Sequence, residues 1–532
     1  MSNLNIYYEF YDSTNSLWVD ISAYVLGDVS GFYGMANNDQ IDRVASIGQM
    51  NLTLNNSEGK FTPGTPNCLS GFDYGSKIRL KVVYSNISFI RFLGHIGLIN
   101  IDPGTFGKRT VSIVAYDWFD YANNEEVNIS EIKYNQKIDD GVNYLVSLMK
   151  HQPENLETYV GDDIFPTLFD NVVSGGKVIG EFQKLALSEL SFIYLKHSNA
   201  NTLVVENRNK RNSNSQLTTI PVTPNFSMEL LTEDGYTLLQ ENLEPILLNQ
   251  IQTITFDNNF VDAEITYGSN LSNKIVVRSY PRLIDTTDQI LYSLSDPISL
   301  DSGELKEEIK VFYRDPDQKA KIVSGSAMIN PVATTDYEMF ANSDGTGTDL
   351  TANLSVSVNF ETNSALVTLE NTGGVSGYVT KLNLRGKSIL TYDYVDVVKT
   401  DSTSISKYGY KELLVDQKYQ PDIFSSTSVA QTVLNQGTEP RVILNKIGFL
   451  TSTEELKDVF LYHNIGDLIY VKESGTGIDQ SYYIQGVSFK TMTNGKIYFS
   501  FLLKEALGLG STFWYLGTVG QSELGTSTIL GY

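Results

Sequence analysis

The chain has 532 residues, 41% of them hydrophobic, and 62 acidic against 39 basic residues give it a formal charge of −23. That balance excludes a surface that wraps nucleic acid, because neutralising phosphates takes clustered Lys and Arg; it suits a passage through which DNA slides without sticking. At roughly 150 residues per domain the length predicts about three to four domains, and 32 Tyr with 25 Phe tilt them towards pleated sheets.

Six short strands come first. Residues 5–12 and 17–26 flank a turn at Asp12-Ser13. In 43–56, Met50, Leu52 and Leu54 alternate with polar residues before the chain exits through Asn55-Asn56, Gly59 and Pro63-Gly64. Residues 76–84 set Ile78, Leu80 and Val82 on one face. Residues 87–101 follow, and 109–117 present Val111, Ile113 and Ala115 together. Strands so closely spaced predict a barrel or sandwich.

From residue 125 the periodicity changes. Ile138, Val142, Leu145, Val146 and Met149 fit one helix face, as do Ile179, Phe182, Leu185, Ala186 and Leu190. Residues 191–208 then read as a hairpin turning at 198–201. Residues 216–300 hold long polar loops and two strand candidates, 250–257 and 263–269. The block 301–388 is all β, with a hairpin that pairs Leu354, Val356, Val358 and Phe360 with Ala365, Val367 and Leu369. Beyond it an interrupted domain resumes, with helices expected near 425–436 and at 452–462, where Ser452 and Glu455 have capping-box spacing.

Two stretches repeat one plan: a Gly, a short strand, a loop, an aromatic-led strand with a central Gly, a turn and an alternating strand. Gly75 precedes Gly94 by 19 positions and Gly466 precedes Gly486 by 20. Ile497, Phe499 and Phe501 hold the phase of Val111, Ile113 and Ala115. The repeat predicts two similar β-domains in one chain, so that three copies would make a six-membered ring.

The segments "NDQIDRVASIGQMNLTLNNSEGKFTPG", "LSGFDYGSKIRLKVVY", "RFLGHIGLINI" and "VSIVAYD" resemble, in that order, the minor tail proteins of long-tailed bacteriophages, the tail-tip or baseplate hub family. Asp42-Arg43, Asn55, Gly59, Phe61, Pro63, Gly75, Phe92, Gly94, Ile96 and Asp117 carry the match. Later segments, "LALSELSFIYLKHSNANTLVVENR", "DGTGTDLTANLSVSVNFETNSALVTLENTGGVSGYVTKLNLRGKSI" and "SKYGYKEL", resemble the helix-plus-hairpin, inserted sandwich and re-entry of that family. The likeness runs over residues 15–505, and "GHIG" departs from the commoner acidic or aromatic residues after the Gly.

The fold class expected is mainly β: two similar tube-type β-barrel hub domains with an inserted α+β module and an inserted β-sandwich. The divisions are a first barrel at 1–124, the module at 125–215, a discontinuous second barrel at 216–300 and 389–505, the sandwich at 301–388, and a tail at 506–532. The resemblance implies a homotrimeric virion component at the tail tip, made in the host cytoplasm. It would join a sixfold distal tail to threefold tip or fibre proteins. The distal tail protein, the tape measure protein and tip or fibre proteins would be its partners, and DNA would pass its lumen without specific binding.

Chemistry is sparse. The single Cys68 excludes an intrachain disulfide. "MSNLNIYYEF" lacks the pattern of a secretory signal, and no run approaches the roughly 18 apolar residues of a spanning helix. No His-Glu-x-x-His, Gly-x-Ser-x-Gly or Walker loop occurs, so no catalytic residue and no cofactor are expected. Asp139-Asp140 opens a helix, where negative charge suits the dipole. Asp162-Asp163, as strand neighbours, point to opposite faces. Gly175-Gly176 is too short a signal for phosphate binding, and His463 packs or caps.

Asp344 and Asp349 in "SDGTGTD" form a calcium candidate that lacks the Glu of an EF-hand. Assembly contacts are expected at Asn55, Asn56, Gly59, Phe61 and Pro63, where a strand is stopped at fixed length, and at Phe513, Trp514 and Tyr515 in a Gly-rich tail. An ordinary loop and a last barrel strand are the plainer readings of those two stretches. A receptor- or glycan-binding tail protein using 301–388 and a hub-associated cell-wall hydrolase are the competing functions.

Overall fold

The computed structural model describes residues 4–506 apart from 105–106, 127–128, 130, 173–175, 209, 214–227, 230–246, 249–255, 257–258 and 316. The chain is mainly β. Seven strands come from its first part: β1 (Asn5–Asp12), β2 (Leu17–Asp20), β3 (Val25–Gly34), β4 (Ser46–Asn55), β5 (Lys77–Tyr84), β6 (Ile87–Asp102) and β7 (Thr110–Tyr116). Five more, β8 (Asp262–Tyr267), β9 (Val442–Leu450), β10 (Leu468–Glu473), β11 (Ile478–Thr491) and β12 (Ile497–Glu505), join them in one twelve-stranded sheet. Its order is β8-β9-β12-β11-β3-β4-β7-β6-β5-β1-β2, with β10 beside β11.

Here the expectation of two barrels is corrected. Among the described residues neither half closes on itself, and the first and last regions share one continuous sheet. Alternation still decides which side chains face inward: Met50, Leu52 and Leu54, Val111, Ile113 and Ala115, and Ile497, Phe499 and Phe501 all enter one core.

The expected strand 17–26 breaks in two. Asp20 Oδ1 accepts the Ser22 N–H at 2.9 Å, which starts a 3₁₀ turn at Ser22–Tyr24 and swings the chain into β3. Of 250–257, only Phe256 is described. The helix predicted at 452–462 forms as Glu454–Tyr462, but Thr453, not Ser452, caps it by accepting the Leu456 N–H at 3.2 Å.

Between the halves of the sheet lie helices α1 (Phe119–Asn124), α2 (Ile138–Leu148) and α3 (Val178–Glu189), then a hairpin of Phe192–Lys196 and Thr202–Glu206. Strand Asn155–Thr158 adds in parallel to the hairpin. Asp140 Oδ2 accepts the Lys137 N–H at 3.3 Å at the start of α2, and Asp139 Oδ1 accepts the Gly161 N–H at 2.8 Å. Asp117 Oδ1 starts α1, a helix not expected from the sequence, by accepting the Phe119 N–H at 3.0 Å.

Residues 282–391 build two sheets over a second core that contains Leu291, Leu300, Val311, Met339, Val367 and Leu384. The hairpin expected there forms, with Leu354 opposite Asn371 and Phe360 opposite Ala365. A third sheet centres on Lys274–Ser279 and is covered by α4 (Ile423–Gly437) through Val429, Ala430 and Val433. The Arg282 guanidinium ties these parts together. It pairs with the buried Asp170 carboxylate and donates to the carbonyls of Tyr280 at 2.9 Å and Lys418 at 2.6 Å. Among the described residues no helix is long and apolar enough to cross a membrane.

Candidate assembly interface

Strands β3–β7 and β8–β12 repeat one topology, with orders β3-β4-β7-β6-β5 and β8-β9-β12-β11-β10. The likeness extends to single hydrogen bonds. Gly75 N–H donates to Ile96 O at 2.7 Å and Ile96 N–H to Ser76 O at 2.9 Å. Gly466 N–H donates to Ile484 O at 2.9 Å and Ile484 N–H to Asp467 O at 2.9 Å. Gly75 (φ +80°) and Gly466 (φ +88°) both sit in the left-handed region, which a side chain would strain. The repeat read from the sequence is therefore present, and the β1–β2 hairpin is the first copy's own addition.

The two copies meet where β3 lies against the second half of β11, from Gly34 opposite Gly486 to Val29 opposite Thr491. Gly31 stands opposite Phe489, and a Cβ at Gly31 would come within 2.3 Å of the ring. Buried Arg91 on β6 donates to Tyr33 Oη at 2.8 Å. It also reaches the carbonyls of Leu461 at 3.3 Å and His463 at 3.0 Å, at the C-terminal end of α5 (Glu454–Tyr462). A cation suits that end of a helix. His197, from the turn of the module's hairpin, fills the seam: its ring stacks on Phe92 at 5.2 Å, meets Tyr33 edge-on at 4.3 Å, and accepts the Leu93 N–H at 3.1 Å.

Register identifies equivalent positions. Ile96 and Ile484 make the same two bonds, and in each strand the next residue, Gly97 or Gln485, is skipped in the pairing. Ile99 therefore corresponds to Val487 and Ile101 to Phe489. Ile113, paired with Ile99 and Leu52, corresponds to Phe501, paired with Val487 and Ile447. In the second copy the flank of β11 at 486–491 is covered by β3. In the first copy the matching flank of β6, residues 97–102, has no strand beside it among the described residues, and Leu98 and Ile101 are 42% and 46% exposed. The outer edge of β8, the counterpart of β3, likewise has no strand beside it, and Val261 and Tyr267 are 61% and 72% exposed. The molecule thus carries one filled junction and the two unfilled halves of a second.

The predicted contact residues take different places. Asn56 is buried and works inside the chain: its Oδ1 accepts the Phe61 N–H at 2.9 Å and its Nδ2 donates to Thr62 Oγ1 at 2.8 Å. Phe61 is fully buried against Tyr24 and Phe72, while Asn55, Gly59 and Pro63 are half-buried. Phe513, Trp514 and Tyr515 lie outside the described residues.

Asp344 accepts from Thr346 N–H at 3.0 Å and Thr346 Oγ1 at 2.6 Å, and Asp349 from Thr351 N–H at 2.8 Å, so each shapes its own turn. Among the described residues no group of three or more His, Cys, Asp or Glu could hold a metal ion. Asp163 is held by Arg208, at 3.2 Å from both Nη atoms. His463 is buried and packs, its ring nitrogens without hydrogen-bond partners among the described residues.

Sequence reading missed Glu189 at the end of α3. Burial, reinforced by nearby Asp162 and Asp163, pushes its carboxyl up to about 8, while Oε1 accepts the Asp162 N–H at 2.6 Å.

The solved structures similar to this chain include tail proteins of phage and prophage type. In particular, a tail protein from Neisseria meningitidis matches 94% of this chain and 97% of its own length at 9% identity and a TM-score of 0.45. The 43 kDa tail protein of prophage MuSo2 from Shewanella oneidensis matches 94% and 99%, again at 9% identity and 0.45. Prophage tail protein gp18 from Listeria monocytogenes matches 93% and 94% at 9% identity and 0.37. Values that low leave function to be argued from this chain's own geometry. No protein-family model and no curated protein matches the chain.

Proposed function

We propose that the chain is a structural hub of a phage tail tip, assembled as a ring of copies around a channel. One observation carries the reading: a duplicated five-strand unit whose internal junction is filled while its equivalent edges stand open. Strand β8 of one copy adds to the 97–102 flank of β6 in the next, as β3 adds to β11 within the chain. Because the two surfaces differ, the contact is heterologous, the kind that gives a ring when its rotation closes. The pairing also removes open sheet edges that would otherwise attract wrong partners.

Three copies present six units, which suits a joint between a sixfold distal tail and threefold tip or fibre proteins. The reading keeps 1–124 and 216–300 with 389–505 as tube-type hub domains, 125–215 and 301–388 as insertions, and 506–532 as a docking tail through Phe513, Trp514 and Tyr515. The surface left by Asn55, Gly59 and Pro63 around the buried Asn56 and Phe61 joins the subunit contact. The partners are a distal tail protein, a tape measure protein and tip or fibre proteins. Surplus carboxylates facing the lumen keep DNA mobile during ejection, and the protein works by assembly and opening, without turnover.

Native mass spectrometry of the full chain, with Ile101→Lys alongside, tests this. A trimer that falls to monomer in the variant is expected; a monomer at all concentrations, or a variant that assembles as well as the parent, overturns the reading.

A further inference from the structure

A cavity of about 730 Å³ lies where the module's hairpin, β9, β12 and α4 converge, lined by Arg43, Phe192, Arg211, Ser272, Tyr483 and Lys504 among others. It gathers positive charge in a chain whose net charge is −23. Three cations surround the Phe192 ring: the guanidinium carbons of Arg211 and Arg43 lie 3.6 and 4.4 Å from its centroid, and Lys504 Nζ lies 5.6 Å away. Burial depresses both Lys504 and Arg43, and the neighbouring Arg211 adds repulsion to each.

Carboxylates balance this group only in part: Asp42 acts as a nearby charge on Arg43 and Lys504, and Asp39 on Lys504. Glu206 holds Arg211 Nε at 2.7 Å. Arg43 donates only to carbonyls, those of Gln40 at 2.7 Å and Leu190 at 2.9 Å, and Lys504 to the Asp39 carbonyl at 3.0 Å. The other carboxylates of the lining are committed or turned to solvent: Glu505 is held by Arg441, Glu412 by Lys274, and Asp39 is exposed. Arg211 is 6% exposed, yet among the described residues its Nη1 and Nη2 have no hydrogen-bond partner, and neither does Ser272 Oγ on the same lining. Buried N–H groups left unmade cost about 1–3 kcal/mol each, so a fold that keeps a pair of them on one enclosed guanidinium beside a cavity, which a turn of the side chain would bring them to face, is arranged for an acceptor.

We propose that this cavity binds a small molecule carrying a phosphate group, with Arg211 Nη1 and Nη2 as the bidentate anchor, Arg43 and Lys504 as charge partners and Phe192 as the apolar floor. The positive charge left over suits a phosphate monoester, which carries about −1.5 to −2 near neutral pH. A guanidinium fork suits its paired oxygens. The volume falls in the range of small-molecule sites, about 300–1,000 Å³, so an organic ester fits better than the bare ion. Binding at this site does not depend on ring formation.

Isothermal titration of the full chain at constant ionic strength, with phenyl phosphate, inorganic phosphate and phenol as probes, tests the assignment. Saturable binding of phenyl phosphate, about tenfold weaker or more in Arg211→Met, supports it. Lys504→Met, at a half-exposed position, supplies the same comparison if the first variant does not fold. Binding of phenol as tight as that of phenyl phosphate, no saturable binding of either phosphate, or undiminished binding in the variants overturns it. Tighter binding of the ester than of inorganic phosphate supports the organic source; equal binding overturns it.

Discussion

The two five-strand units share a topology and differ in what stands beside them. In the second, the flank of β11 is covered and Phe489 is buried over Gly31. In the first, the same flank keeps Leu98 and Ile101 exposed, and the residue equivalent to Phe489 is the smaller Ile101. A bulky ring buried against a glycine inside the molecule thus corresponds to a medium side chain left at the open edge. The difference teaches that duplication filled one junction within the chain and left the edges of the other open.

Removing the clamp of the filled junction should have the largest effect. Arg91→Ala leaves Tyr33 Oη and the last carbonyls of α5 without their donor, so urea unfolding should show a loss of about 4 kcal/mol. Two substitutions then set one junction against the other. Gly31→Val drives a branched side chain into Phe489 and should cost about 3 kcal/mol by the same measurement. Ala263→Val, on the open edge strand β8, should cost about 1 kcal/mol or less in the isolated chain while lowering its association by mass. Equal losses at the two sites would break the contrast between a filled and an open edge.

The smallest effect lies outside both units and serves as their control. Glu189 is held up to about 8 from an ordinary 4.5. The folded chain therefore favours its protonated form, and that contribution is whole below 4.5 and is lost as pH rises towards 8. Glu189→Gln should flatten this decline and stabilise the protein by about 2 kcal/mol at pH 8, with little effect at pH 4. Parallel pH profiles of parent and variant would refute it.

Much of the β architecture was legible because its signals are local. Alternation placed Met50, Leu52 and Leu54 in the core, and the paired glycines at 75 and 466 marked backbone that only Gly adopts without strain. What was not legible depends on distant residues. The alternation of β3 is the same whether its edge is free or joined to β11, so two barrels were expected where one sheet forms. Phe61 looked like a contact residue because it sits in a polar exit loop, yet three-dimensional packing closes it against Tyr24 and Phe72. The Arg43, Arg211 and Lys504 cluster left no signal at all, since its members are scattered along the chain and meet only on Phe192. The split of 17–26 at Asp20 was local and was outweighed by the apolar run around it.

The seam between Gly34 and Gly486 also sets a timetable for biogenesis. A ribosome adding about 5–20 residues per second takes on the order of 20–90 s to travel from one to the other, and for that interval the nascent β3 has no neighbour on that side. Its sequence, "VLGDVSGFYG", meets the delay with the pairs Gly27-Asp28 and Ser30-Gly31 in place of an unbroken apolar run. Such a strand resists sticking to other growing chains until its late partner emerges.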